Sequence, residues 1–409
     1  MCNLSELKVF PLEKKNPVSE KILSLSDNLL TEKYIKNSLS FLEFDHRLIS
    51  EAVKALILFK KYPRLKRYFL HCHNLLFIEK SCKAEETENW EILPEAYGEY
   101  RDWFYAFLMI SGIDALKKQF DERKIPRAVL IDTLSDLELW IENNLKFYGS
   151  FGLKLPCWLC FHLTFRLFKL GRLQFLIEDF PLDIRVYRNR KNKKIATLAA
   201  DKKEIRNDGQ YNHICGISDP EPFFTKFNIS NSKITGNPIT PHGNILKNRI
   251  SLDRNDWELC LQKNDTAISF HIPATGPMTF DECGKAFLLA FDFFRKYFPE
   301  KKFRTYFSLS WLYDNQLPEY LSPDSNIVRF QKEFFLVPLS YAKEKETLQW
   351  VFGNKKAAYK KNKSKTSLQR AILNFRKTGK RCRNGGALLF KEDFNWGKQV
   401  YQNQNARFE

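Results

Sequence analysis

From Ala267 to Phe298 the chain reads AISFHIPATGPMTFDECGKAFLLAFDFFRKYF: a strand, a small-residue turn and a helix start in direct succession. That order can bind an anion. The first N–H groups of a helix have no intrahelical acceptor and lie at the positive end of its dipole, so a phosphate placed there is both attracted and hydrogen-bonded. Ile268, Phe270 and Ile272 alternate as in a strand, and Pro273 ends the ladder because it has no N–H. Thr275-Gly276-Pro277 supplies the turn. Thr279 with Glu282 spells a capping box, and Phe287, Leu288, Ala290, Phe291, Phe294 and Phe298 recur at helical spacing. An ordinary β–α connection satisfies the same pattern, so both readings stand at this level.

Two cysteine patterns invite metal or redox chemistry. Cys157-Trp158-Leu159-Cys160 is a C-x-x-C, but no second C-x-x-C follows, and Leu159, Phe161, Leu163 and Phe165 around it are apolar; helix packing is the better reading. His71-Cys72-His73 lacks a second ligand pair, and the same reading applies. No metal site is expected. The formal net charge is +18. From Lys355 to Arg383 the chain is strongly basic, with no Asp or Glu. A second cluster, Arg185, Arg188, Arg190, Lys191, Lys193 and Lys194, falls on a hairpin flanked by DIRVY and IATLA. Such charge suits nucleic acid, a cofactor with several phosphates, or simply a solvated surface.

The elements that position these groups follow from composition and period. With 409 residues, 44% hydrophobic and 15% aromatic, the chain can fill two cores. No uncharged apolar run of ~18 residues predicts a membrane span. The N-terminus shows no apolar signal region, and nine scattered cysteines fit a reduced, cytoplasmic protein. Apolar spacings of three and four predict helices over 26–37, 51–59, 65–79, 90–113 and 115–123, another opening near Thr133, and one over 155–170. From Arg172 the period changes to strands at 173–178, 183–187 and 195–199. Residues 206–255 are loop-rich, and 257–262 is expected to be a short helix. Strands at 304–312 and 334–339 and helices at 317–321, 324–332 and 367–375 complete the pattern. The expected architecture is α+β: a helical N-terminal domain over 1–140, a mixed-sheet α/β domain over 141–390, and a tail over 391–409.

A series of short motifs now bears on the family. Asp132-Thr133-Leu134-Ser135-Asp136-Leu137, Leu170-Gly171-Arg172-Leu173-Gln174-Phe175, His271-Ile272-Pro273 with Gly276-Pro277, Ser310-Trp311-Leu312, Asp324-Ser325-Asn326-Ile327 and Thr366-Ser367-Leu368-Gln369-Arg370-Ala371 occur in order. Together they resemble bacterial acyltransferases with a helical N-terminal domain and a GNAT-like C-terminal domain, over about residues 30 to 390. The resemblance implies an acyl-CoA-dependent N-acyltransferase, with acetyl-CoA or another acyl-CoA as donor and an amine on a small molecule or peptide as acceptor.

The resemblance also implies roles. In GNAT enzymes the strand before the central helix splays from its neighbour, and the following loop holds the CoA pyrophosphate on backbone N–H groups. Here this places Ile272, Ala274, Thr275, Gly276, Met278 and Thr279 at the cofactor. The family's loop carries spaced glycines; this chain has only Gly276, and Pro277 has no donor, so Arg295, Lys296 or the 355–383 segment can substitute. His271 is the candidate base, Tyr320 the candidate acid, and Ser310 and Asn326 the candidate substrate contacts. A basic nucleic-acid-binding protein and an acyl-CoA sensor without turnover are the alternatives.

Overall fold

The computed structural model describes residues 28–341, 343–353 and 366–402. The chain divides into two compact units, one comprising residues 1–170 and 174–176, the other 171–173 and 177–409. The division falls after β1 (Leu167–Leu170) and within β2 (Leu173–Asp179), not at residue 140, because the last two helices of the first unit pack with those before them.

The first unit contains α1 (Glu32–Phe41), α2 (His46–Ala55), α3 (Ile57–Lys61), α4 (Pro63–His73), α5 (Trp103–Ser111), α6 (Ile113–Glu122), α7 (Arg127–Tyr148) and α8 (Cys157–Leu163). Short polar side chains start the early helices: Thr31 accepts from the Tyr34 N–H, and Asp45 from the Arg47 N–H. Every residue of α5 is buried, making it the axis of this core. The rings of Phe59, Phe69, Phe104 and Phe107 gather there, with centroids 5.5 to 6.4 Å apart. Burying one such ring contributes about 2 kcal/mol.

Two expected helices are corrected. The one over 90–113 begins only at Trp103, because Pro94 and a left-handed Gly98 hold 95–97 in an isolated turn. The one over 155–170 stops at Leu163: Phe165 turns left-handed at φ 61°, and Leu167–Leu170 is a strand.

A buried carboxylate ties α7 to α8. Asp136 Oδ2 accepts from Trp158 Nε1 at 2.8 Å and Trp140 Nε1 at 3.2 Å, and lies 3.3 Å from His162 Nε2. His162 Nδ1 is 3.1 Å from the Trp158 carbonyl, and Gln174 Nε2 is 3.4 Å from His162 Nε2. Burial would raise the Asp136 carboxyl, but hydrogen bonds and charge from His162, with Trp158 and Gln174, hold it below the ordinary aspartate range. Asp102 is alike: burial opposes, yet Ser150, Asn144 and Lys154 hold it low.

A group with a lowered folded pKa stabilises fully above its unfolded pKa and loses that contribution as pH falls through the folded value. Urea midpoints are therefore expected to hold near neutrality and to fall below about pH 4, the ordinary aspartate pKa. An Asp136→Asn chain should start weaker and fall less steeply. Identical acid limbs for the two chains would remove Asp136 as a cause.

The second unit holds a mixed sheet. β6 (Thr266–His271) runs parallel to β7 (Thr305–Ser310); β7 is antiparallel to β9 (Gly385–Phe390), and β9 to β8 (Phe335–Pro338). The helix α9 (Phe280–Tyr297) joins β6 to β7. On its face of the sheet Phe270 lies 5.0 Å from Phe287 and 5.1 Å from Phe334, and Tyr306 lies 5.0 Å from Phe291. Gly284 stands inside α9 for a packing reason: a Cβ there would meet Trp396 at 2.5 Å. Trp396 Nε1 donates to the Phe280 carbonyl, and the fully buried Tyr401 hydroxyl donates to Asp393. Residues 391–402 are thus part of this core rather than a tail.

A second, antiparallel layer contains β3 (Ile184–Asn189), β4 (Ile195–Ala199) and β5 (Trp257–Gln262). The expected helix at 257–262 is a strand, and its signal was the alternation of Trp257, Leu259 and Leu261. Three short helices and a longer one follow the sheet strands: α10 (Leu317–Tyr320), α11 (Asn326–Gln331), α12 (Glu344–Phe352) and α13 (Ser367–Lys377).

Candidate functional site

The parallel pairing of β6 with β7 covers only Ile268↔Tyr306 and Ser269↔Phe307. Beyond it the strands run on to His271 and Ser310 without further mutual pairing. At this open end lies the loop 272–279. Pro273 is buried, Ile272 and Met278 are half-buried, and Ala274, Thr275, Gly276 and Thr279 are exposed.

The loop is polarised. Arg172 reaches it with all three guanidinium nitrogens: Nη1 donates to the Pro273 carbonyl at 3.0 Å, Nη2 to that of Gly276 at 3.1 Å, and Nε to that of Pro277 at 3.1 Å. The opposite groups are left open. The amides of Ala274, Thr275, Gly276, Met278 and Thr279, and those of Phe280 to Glu282 in the first turn of α9, donate to no acceptor among the described residues. Thr279 occupies the N-cap position, but its side chain makes no cap bond, so the expected capping box does not form. Glu282 instead meets Lys285 at 2.8 Å. Gly276 is left-handed at φ 69°, and a Cβ built there meets nothing within 4 Å. The backbone at Gly276 is thus open to the approach of an anion. Arg295 pairs with Asp292 on the surface of α9.

His271 ends β6 half-buried, with Nε2 3.0 Å from Ser269 Oγ. A hydroxyl both donates and accepts, so Ser269 can hold the ring in either protonation state. Tyr320 ends α10 elsewhere in this unit. Its ring lies 4.3 Å from Phe375, against the cluster of Leu348, Phe352, Ile372 and Cys382. Burial pushes its hydroxyl well above the ordinary tyrosine value, which weakens it as an acid. No hydrogen bond or ring contact joins Tyr320 to His271 among the described residues. Ser310, half-buried at the end of β7, accepts from the Leu312 N–H and caps the turn Trp311–Tyr313. Asn326 is exposed at the first position of α11, whose cap is Ser325 accepting from the Val328 N–H. Sequence reasoning missed the role of Arg172, which stands about a hundred residues before the loop it holds, so no local pattern pointed to it.

The basic clusters are less open than their composition suggests. Arg188 forms a bidentate pair with Asp393, Arg190 meets Glu258 and Lys191 meets Asp256. In the 355–383 segment Arg376 and Arg381 share Glu344, Lys380 meets Glu319, and Arg383 lies among Asp208, Asp314 and Asn315. Lys355 to Lys365 lie outside the described residues. The C-x-x-C thiols are free, and burial raises both, which opposes thiolate chemistry. His73 donates to or accepts from Ser111 at 2.8 Å, and burial pushes it down to about 4. No group of three metal-ligating side chains occurs among the described residues, nor any helix long and apolar enough to cross a membrane.

Residues 167–389 match the family model of the GNAT-like C-terminal domain, and residues 34–165 that of the N-acyltransferase N-terminal domain. The chain belongs to the two-domain GNAT-like acyltransferase family. No curated protein matches it. Among solved structures this GNAT-like chain is similar to an acyltransferase in complex with decanoyl-CoA and teicoplanin, at 19% identity and TM-score 0.62, covering 93% of this chain and 98% of that one. An acyltransferase variant in complex with octanoyl-CoA is similar at 18% identity, with the same TM-score and coverage. At these identities the likeness is one of fold. In the GNAT-like frame, β6, the loop 272–279 and α9 are the strand, loop and helix at which the sequence resemblance placed the CoA pyrophosphate.

Proposed function

We propose that this chain transfers an acyl group from acyl-CoA to an amine on a small molecule or peptide. One observation carries the reading: a run of unused amides, its carbonyls gathered behind it onto Arg172, stands where two parallel strands part. A diphosphate fits the amides. The unpaired edges of β6 and β7 fit the amide-bearing pantetheine arm, since backbone groups without partners favour a ligand that supplies them. Solved acyltransferases of the same fold hold decanoyl-CoA and octanoyl-CoA, and one holds teicoplanin.

In the transfer a C–N bond forms, the C–S bond breaks, the amine loses a proton and the departing thiolate gains one. His271, at the mouth of the parted strands, accepts the amine proton, directly or through water, while Ser269 keeps the ring oriented. Ser310, at the end of the facing strand, is the substrate contact in this reading. Water or solvent-borne acid supplies the thiolate proton, since Tyr320 is engaged in packing.

A thermal-shift panel tests the donor. CoA or octanoyl-CoA at ~100 times its dissociation constant should stabilise by about 2.7 kcal/mol, and short duplex DNA should not. A steep, salt-dependent shift with DNA alone would replace this reading by nucleic-acid binding. For the chemistry, His271→Ala is expected to lower turnover by ~10²-fold and to recover partly at high pH, where the acceptor amine is already neutral. Tyr320→Phe keeps the ring contact with Phe375 and should leave turnover within about twofold. Normal turnover in folded His271→Ala would sink the base assignment, and a large loss in Tyr320→Phe would restore the acid role.

A further inference from the structure

Several guanidinium groups of the second unit are neutralised by carboxylates, though not all, since Arg254 too is held by main-chain carbonyls. Arg188, Arg190, Arg376, Arg381 and Arg383 each meet a carboxylate. Arg172 meets none among the described residues; its partners are three main-chain carbonyls. Carbonyl oxygens satisfy donors but do not cancel a charge. The group is half-buried, and that burial pulls it below the ordinary arginine value, as expected for a cation without a counter-ion. A guanidinium carries five N–H donors, so the bonds to Pro273, Gly276 and Pro277 leave two more. Its origin is fixed as well. Gly171, left-handed at φ 62°, sits so close to α9 that a Cβ there would meet Leu289 at 3.3 Å.

We propose that Arg172 is the positioning residue of the diphosphate loop: its fork draws the carbonyls of Pro273, Gly276 and Pro277 inward, so that the amides of Ala274 and Met278, trans to two of those carbonyls, face the ligand, and its unbalanced charge is neutralised when the diphosphate docks. This rests on the acyl-CoA reading above. It also accounts for a loop with one glycine and two prolines serving where the family uses several glycines. Conformational freedom matters less when a rigid fork imposes the conformation.

The test compares two ligands on the full chain. CoA carries the diphosphate; S-octanoyl-pantetheine carries the thioester arm without it. Dissociation constants are measured by calorimetry or competition for the unaltered chain, Arg172→Gln and Arg172→Lys. Losing charged hydrogen bonds of this kind should weaken CoA by about tenfold to a hundredfold, leave S-octanoyl-pantetheine within about twofold, and flatten the salt dependence of CoA binding. Arg172→Lys keeps the charge but cannot span three carbonyls, so the selective loss should persist. It also serves if Arg172→Gln does not fold. A parallel loss of both ligands would mark a merely structural residue and overturn the proposal. So would unchanged CoA binding in Arg172→Gln, or full affinity in Arg172→Lys. An unaltered chain that binds neither ligand would instead defeat the acyl-CoA reading itself.

Discussion

Asp136→Ala is expected to destabilise the first unit by about 3–5 kcal/mol, the usual cost of removing one partner from a buried charged network. The change takes the Asp136 carboxylate away from the indole N–H groups of Trp140 and Trp158 and from His162. Each buried donor left unpaired loses its hydration without recovering it. For a unit of this size the loss corresponds to a fall in melting temperature of about 10 °C. Asp136→Asn should cost less, since its carbonyl oxygen still serves one donor. Scanning calorimetry on both variants decides the matter. A melting temperature unchanged in Asp136→Ala would show that the network contributes nothing net.

Gly276→Trp should reduce CoA affinity by ~10²-fold or more while the chain stays folded, because a bulky side chain bars close backbone approach. Its Cβ would meet no protein atom within 4 Å, so the indole would project into the space the ligand needs rather than into the core. The left-handed backbone at φ 69° adds strain of about 1–2 kcal/mol, small beside the stability of the unit. Gly276→Ala carries the same strain without the bulk and should lose far less affinity. Calorimetric titration with CoA, paired with a melting curve, separates the two effects. Undiminished binding in a folded Gly276→Trp chain would take this loop out of the site.

Much of the central framework was legible because its residues act on near neighbours. The strand at 266–271, the helix at 280–297 and the hairpin around 190 announce themselves by period and punctuation. The motifs behind the family resemblance turn out to be largely joints. Ser310 and Ser325 cap short helices, Thr366 and Gln369 form a capping box, and Thr133 accepts from the Lys169 N–H. Asp136 and Gln174 belong to the His162 network. Other features were hidden for physical reasons. The helix at 90–113 was over-extended because its apolar spacing continues through residues that Pro94 and Gly98 keep from helical geometry. The strand at 257–262 also carries apolar Trp257, Cys260 and Leu261 at spacings of three and four, which a helix fits as well as a strand. The brace on the loop joins residues about a hundred positions apart, which no local window contains.

A guanidinium that grips only peptide oxygens is indifferent to which side chains those peptides carry. Ala274, Thr275 and Met278 project none of the atoms that Arg172 holds. Their identities are therefore free to drift as long as the chain keeps its course, and selection can act on the arginine alone. A search by glycine spacing alone would pass over such a loop. A search for an arginine serving several carbonyls of one turn, with amides unused on the other side, would find it in chains whose loop sequences share nothing.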